Sequence, residues 1–231
     1  MEEIKEKDIK QNNTDIIEKI KKCTCSILNS NSSGFFCKIP FFGQSRYLNI
    51  LLVNYDSINY NVDDDEYPSI TILLNNDDLL ERHIILNEGR RLIMKVRELN
   101  ITAIQILEEE DDIRDFLDLY LNINKEEKYL ESTGSERSLF CLESKDGIDL
   151  KISHGLFSEN NKLIYIPPKP NNDNNYKGWP ILSSNNYKVI GIHCGNSQSP
   201  EYAEGSFIRF INKSQNFENN IEIKKIKKNK K

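Results

Sequence analysis

The feature that most limits what this chain can fold into is a long series of short, β-rich runs, each cut off by Asn, Asp, Gly or Ser. Residues 23–28, 34–41, 46–55, 69–74, 82–86, 91–96 and 101–107 form one series. Residues 138–144, 148–158, 162–168, 178–182, 188–195 and 205–211 form another. Candidate strands at about ten-residue spacing, with turn residues between them, mark β-sandwiches and barrels. The pattern predicts an all-β chain built as two lobes.

The two series are separated by an acidic stretch, residues 108–127, which carries the apolar set Ile113, Phe116, Leu117, Leu119 and Leu121. It is read as an inter-lobe linker with one helical turn. The expected organisation is therefore an N-terminal helix at 1–22, a first lobe at 23–107 and a linker at 108–137, then a second lobe at 138–212 and a basic tail at 213–231. In the first segment Ile9, Ile16, Ile17 and Ile20 lie among charges, and Thr14 is a fitting cap. The apolar face is small and the charges are mixed, which favours a helix docked on the body over one lying on a membrane. The tail reads as a solvated basic extension.

A chain of 231 residues is long enough to bury a substantial core. Its net charge of −5 conceals acidic clusters at Asp63–Glu66 and Glu108–Asp112 against the basic tail. No nucleic-acid footprint spans the chain, so the tail alone is a candidate for such contact. No apolar run reaches the roughly 18 residues of a membrane span, and the charged start lacks the apolar core of a signal peptide. The expectation is a cytoplasmic protein, with nuclear import through the tail as a secondary reading and no secretion.

Five cysteines, odd in number and scattered, are expected as reduced thiols. Cys23 and Cys25 form a C-x-C pair, but no second pair completes a zinc site. His83, His154 and His193 each fall in a strand-like run and are expected as satisfied strand residues. With no phosphate loop, dinucleotide fingerprint or zinc-protease motif, no cofactor and no metal are expected.

Several local stretches, taken in order, resemble one family. Residues Ser33-Gly34-Phe35-Phe36-Cys37 resemble the G-S-G-F opening strand of trypsin/chymotrypsin-like serine peptidases. Residues 51–58 resemble the stretch that carries the family's catalytic histidine, and residues 99–106 the strand that opens with its aspartate. Asn175-Tyr176-Lys177-Gly178-Trp179-Pro180-Ile181-Leu182 resembles the nucleophile loop G-D-S-G-[GS]-P. Residues 188–195 then resemble the strand that lines the substrate cleft, and residues 205–208 the final strand. The resemblance covers residues 23–211 and implies two Greek-key, six-stranded β-barrels with a short N-terminal helix.

It also implies that the chemistry has gone. The position matching the histidine holds Asp56, that matching the aspartate holds Asn100, and that matching the serine holds Lys177. Such peptidases need a hydroxyl nucleophile, an imidazole to shuttle its proton and a carboxylate to orient the imidazole. A carboxylate is a poor base for an alcohol, and position 177 has no alcohol to activate. A glycine supporting the oxyanion hole is replaced by Asn175. Trp179 is read as core filling, or as a lining of the vestigial cleft. Lys177 as a nucleophile is disfavoured because Asp56 would hold its charge on.

The expectation is thus no catalytic residue, and a protein-binding or regulatory module for a protein or peptide partner. The alternative is an active serine-type peptidase with a displaced site, for which Ser183 and Ser206 are the first candidates. An Asp56–Lys177 contact across the lobes, with Asn100 donating to Asp56, is also expected.

Overall fold

The computed structural model describes residues 14–28, 30, 32–40, 47–58, 68–75, 80–119, 137–144, 148–157, 162–165, 177–183, 186–196 and 203–208. Ile9, Leu121, Asn175 and the basic tail lie outside the described residues.

Helix α1 occupies residues 14–22. The first lobe follows as β1 (Thr24–Ile27), β2 (Ser32–Pro40), β3 (Tyr47–Asn54), β4 (Ser69–Leu74), β5 (Glu81–Ile85), β6 (Ile93–Val96) and β7 (Ile101–Gln105). The acidic stretch contributes the single helical turn α2 (Glu108–Asp111) and the short strand β8 (Leu117–Asp118). The second lobe comprises β9 (Arg137–Ser144), β10 (Ile148–Phe157), β11 (Lys162–Tyr165), β12 (Pro180–Ser183), β13 (Val189–Asn196) and β14 (Ala203–Phe207). These six close into an antiparallel barrel in the order β10-β11-β14-β13-β12-β9.

The first lobe is a curled antiparallel sheet, ordered β5-β4-β1-β2-β3-β7-β6, with β8 added parallel to β2. Among the described residues β5 and β6 do not pair, and the acidic stretch fills the opening. Ile113 and Phe116 join the same buried cluster as Ile84 and Leu86. Phe116 meets Phe36 edge-on with ring centroids 6.3 Å apart. Around them Arg82 pairs with Asp112 at 2.8 Å and Arg90 with Glu110 at 2.6 Å. The described start of the stretch read as a linker, residues 108–119, therefore packs on the first lobe.

The burial pattern explains which strands alternate and which do not. In β4 the buried residues Ile70, Ile72 and Leu74 alternate with less buried ones, as in a strand with one face toward the core and one toward water. In β3 no such alternation exists beyond Asn49, because both faces are covered. Leu51 and Val53 enter the cluster inside the first lobe, with Phe36, Ile72 and Ile104. Ile50 and Leu52 point the other way, into a cluster with Phe35, Cys37, Ala103, Trp179, Leu182, Val189 and Ile192. That second cluster joins the lobes into one core.

Helix α1 docks on this same cluster. Ile20 is buried and Ile16 and Ile17 pack against it. The helix ends where the Thr24 hydroxyl donates to the Ile20 carbonyl at 3.0 Å, satisfying a terminal acceptor inside the core. Lys19 reaches Asp118 at 3.4 Å, so the helix is also tied to β8.

Candidate functional site

The three positions singled out by the sequence lie on segments that meet between the lobes. Asp56 sits in the 3-10 turn Tyr55–Ser57 directly after β3. Asn100 follows the 3-10 turn Arg97–Leu99 and is left-handed, at φ 53° and ψ 42°. Asparagine tolerates that region better than most side chains, which lets the chain turn sharply into β7. The Asn100 carbonyl accepts the Tyr55 N–H at 3.0 Å and so joins the two turns.

Lys177 is held through its backbone. Its carbonyl accepts the Ser33 N–H at 2.8 Å, and the next residue, Gly178, donates its N–H to the His193 carbonyl at 2.9 Å. Gly178 has φ 93°, and a Cβ there would stand 1.7 Å from the Ser33 oxygen. Glycine is thus required on two counts, conformation and space. The Lys177 stem lies over Gly195, where an added Cβ would come within 3.0 Å of the lysine Cε.

The His193 carbonyl is the hub of the arrangement. It also accepts from the Asn54 side-chain amide across the lobes, at 3.2 Å. Asn54 is buried, and its Oδ1 has no hydrogen-bond partner among the described residues. The His193 ring is buried as well. Burial, followed by the Lys177 charge beside it, lowers its pKa to about 4, so the ring is neutral near pH 7.

A hollow of about 250 Å³ opens next to Asn100, lined by Arg97, Glu98, Leu99, Cys194, Glu204, Gly205 and Ser206. The Cys194 thiol donates to the buried Ser206 hydroxyl at 3.3 Å. Among the described residues the hydrogen bond recorded for the Ser206 hydroxyl is this one from Cys194.

Two expectations about contacts need correction. Among the described residues no ion pair joins Asp56 to Lys177, and Asn100 does not donate to Asp56. Both charged side chains are exposed. An exposed pair gains only about 0–1 kcal/mol, which does not outweigh full hydration of two ions. The recorded side-chain bond across the lobes runs from Asn54, not singled out at all, to the carbonyl of His193, which was read as an ordinary strand residue. Trp179 is buried in the shared core and does not line an open cleft.

The C-x-C pair divides between the two cores, Cys23 into the inter-lobe cluster and Cys25 into the first-lobe cluster. Burial pushes both thiols up to about 12, which makes them poor ligands and poor nucleophiles. Among the described residues, no group of three or more potential metal ligands is assembled. No helix of the described residues is long and apolar enough to cross a membrane.

Two lobes, one a closed barrel, with the marked segments converging at their junction, define a serine-protease-like architecture. No known family profile matches the sequence, and no curated protein matches it. Among solved structures, the chain is similar to the serine protease domain of the Sesbania mosaic virus polyprotein. That match has a TM-score of 0.51 and 14% identity, covering 84% of this chain and 92% of that one. Human heparin binding protein matches with a TM-score of 0.50 and 9% identity, over 84% of this chain and 89% of that one. The chain has the trypsin/chymotrypsin-like fold.

Proposed function

We propose that this chain is a catalytically inactive domain of trypsin-like fold that acts as a protein-binding or regulatory module. One observation carries the reading. The backbone at the junction of the lobes is tightly organised by hydrogen bonds, yet the side chains it presents there are Asp56, Asn100 and Lys177. None is an alcohol or thiol nucleophile, and none is an imidazole. Among the described residues the imidazole at the junction is that of His193, which is buried and neutral, and its strand carbonyl serves as a structural hub. A scaffold kept in order without its chemistry is suited to recognition.

The partner in this reading is a protein or peptide. The unpaired, deeply buried thiols of Cys23, Cys25 and Cys37 support a reducing compartment such as the cytoplasm. The test is direct. Purified protein is expected neither to react with a fluorophosphonate probe nor to cleave an unstructured casein-like substrate above background. Robust labelling that disappears on substitution of one residue would overturn the reading and identify a displaced nucleophile.

A further inference from the structure

Residues 107–119 run from the open side of the first-lobe sheet to the seat of helix α1. At one end the Asp111 carboxylate is gripped by Arg91 at 2.9 and 3.1 Å and accepts the Leu107 N–H at 2.8 Å. Nearer the surface, Arg90 holds Glu110 and Arg82 holds Asp112. At the other end β8 lies parallel to β2, with Leu117 opposite Cys37, and Leu119 bridges to Val189 of β13. Leu117 and Leu119 belong to the same buried cluster as Ile20 and Cys23, and Asp118 pairs with Lys19 of α1 at 3.4 Å. Burial, then the charge of Asp115, raises the Cys23 thiol to about 12, which sets the segment beside that sulfur. Between the two ends lie residues 112–116, which contain neither glycine nor proline. Ile113 and Phe116 are buried there in the first-lobe core. Phe116 is held twice, edge-on to Phe36 and with the Lys38 ammonium 5.7 Å from its ring centroid.

From this continuity we propose that residues 107–119 form a latch, with the Arg91–Asp111 pair as its lock and the seat of α1 as its far end. When the lock releases, the latch lifts as one unit and α1 leaves the inter-lobe core with it, while strands β1 to β7 stay paired. A segment packed at both ends and through its middle has no hinge on which one end can lift alone. Proteins open in such contiguous units, below the free energy of global unfolding. A helix as short as α1 does not hold by itself in water, and Leu117, Asp118 and Leu119 supply part of the surface that holds it. The closed state also carries a cost that opening relieves: the Arg82 Nε is buried with no hydrogen-bond partner among the described residues. The latch uses none of Asp56, Asn100 and Lys177, so it stands whether or not the chain is catalytic.

The experiment reads the opening through the C-x-C pair of the full chain, alkylated with iodoacetamide under native conditions and located by tandem mass spectrometry. Alkylation needs a thiolate in contact with solvent. Cys23 lies at the seat of α1, so opening of the latch uncovers it. Cys25 lies in the first-lobe core, on a strand paired on both sides, so it waits for the sheet to open. In the unaltered chain Cys23 is expected to react at least about 10-fold faster than Cys25. Asp111→Asn is expected to speed Cys23 at least about 100-fold, as for one partner lost from a buried pair. Glu110→Gln combined with Asp112→Asn, which removes two exposed pairs, is expected to speed it about 3- to 10-fold and carries the test if Asp111→Asn does not fold. Equal rates at Cys23 and Cys25 in the unaltered chain mean that nothing opens short of the sheet itself, and overturn the proposal. A faster Cys23 whose rate ignores the folded variants means that α1 lifts without the latch, and overturns it as well.

Discussion

Replacing Asp111 by Asn is expected to be among the most damaging single changes available that alter no side-chain volume. Asp111 and Arg91 form a two-pronged ion pair at 2.9 and 3.1 Å, and their side chains are only 2% and 3% exposed. The same aspartate oxygen accepts the Leu107 N–H at 2.8 Å, and the arginine donates to the Gln105 carbonyl at 3.0 Å. The pair thus fixes the acidic stretch against the open side of the first lobe, where β5 and β6 fail to meet. Asparagine can keep the Leu107 bond but takes away the charge that faces the buried guanidinium. Removing one partner of a buried pair costs about 3–5 kcal/mol, a large share of a total stability near 5–15 kcal/mol. For a chain of this size the melting temperature should fall by about 10 °C. Arg91→Met should cost a similar amount, whereas the two together should cost far less than their sum. Urea unfolding would be followed by the fluorescence of Trp179, the single tryptophan, which reads the inter-lobe core, and by circular dichroism, which reads the sheets. A loss below about 1 kcal/mol for Asp111→Asn, with no coupling in the double-variant cycle, would refute the reasoning.

Other expectations follow from single features. Gly178→Ala should break the clamp on Ser33, because a methyl cannot fit 1.7 Å from a carbonyl oxygen, and should shift Trp179 fluorescence toward that of the exposed indole. Ile20→Ala should cost about 2–5 kcal/mol in urea unfolding, since the side chain is buried in the inter-lobe cluster; an unchanged midpoint would mean that α1 does not dock. The folded-state pKa of His193 is lowered, so the unfolded chain binds a proton that the native one refuses as pH falls below about 6.5. Stability from this group should be full above that pH and decline by up to about 3 kcal/mol down to about pH 4, and a His193→Asn variant should show a flatter profile in melts over that range.

Much of the fold was legible in the chain itself. Short apolar runs bounded by turn residues identify strands because strand formation is governed by local pattern and length. The order of the matched stretches singled out Asp56, Asn100 and Lys177 by residue identity alone. The acidic stretch was less legible. Its apolar residues have no period of their own; Ile113 and Phe116 became part of the first-lobe core at the open side of the sheet, while Leu117 entered the inter-lobe core beside β2.

What only the tertiary structure decided concerns contacts between distant segments. The continuous apolar run of β3 could not say which residues face which core; that depends on a second lobe more than a hundred residues away. The role of His193 was hidden because it acts through a main-chain carbonyl, which every residue has, and Asn54 gave no signal because its partner is that same carbonyl. The separation of Asp56 from Lys177 also belongs to this level. Complementary charge makes a contact permissible, but burial and the geometry of the supporting backbone determine whether it outweighs hydration, and at this exposed junction it does not.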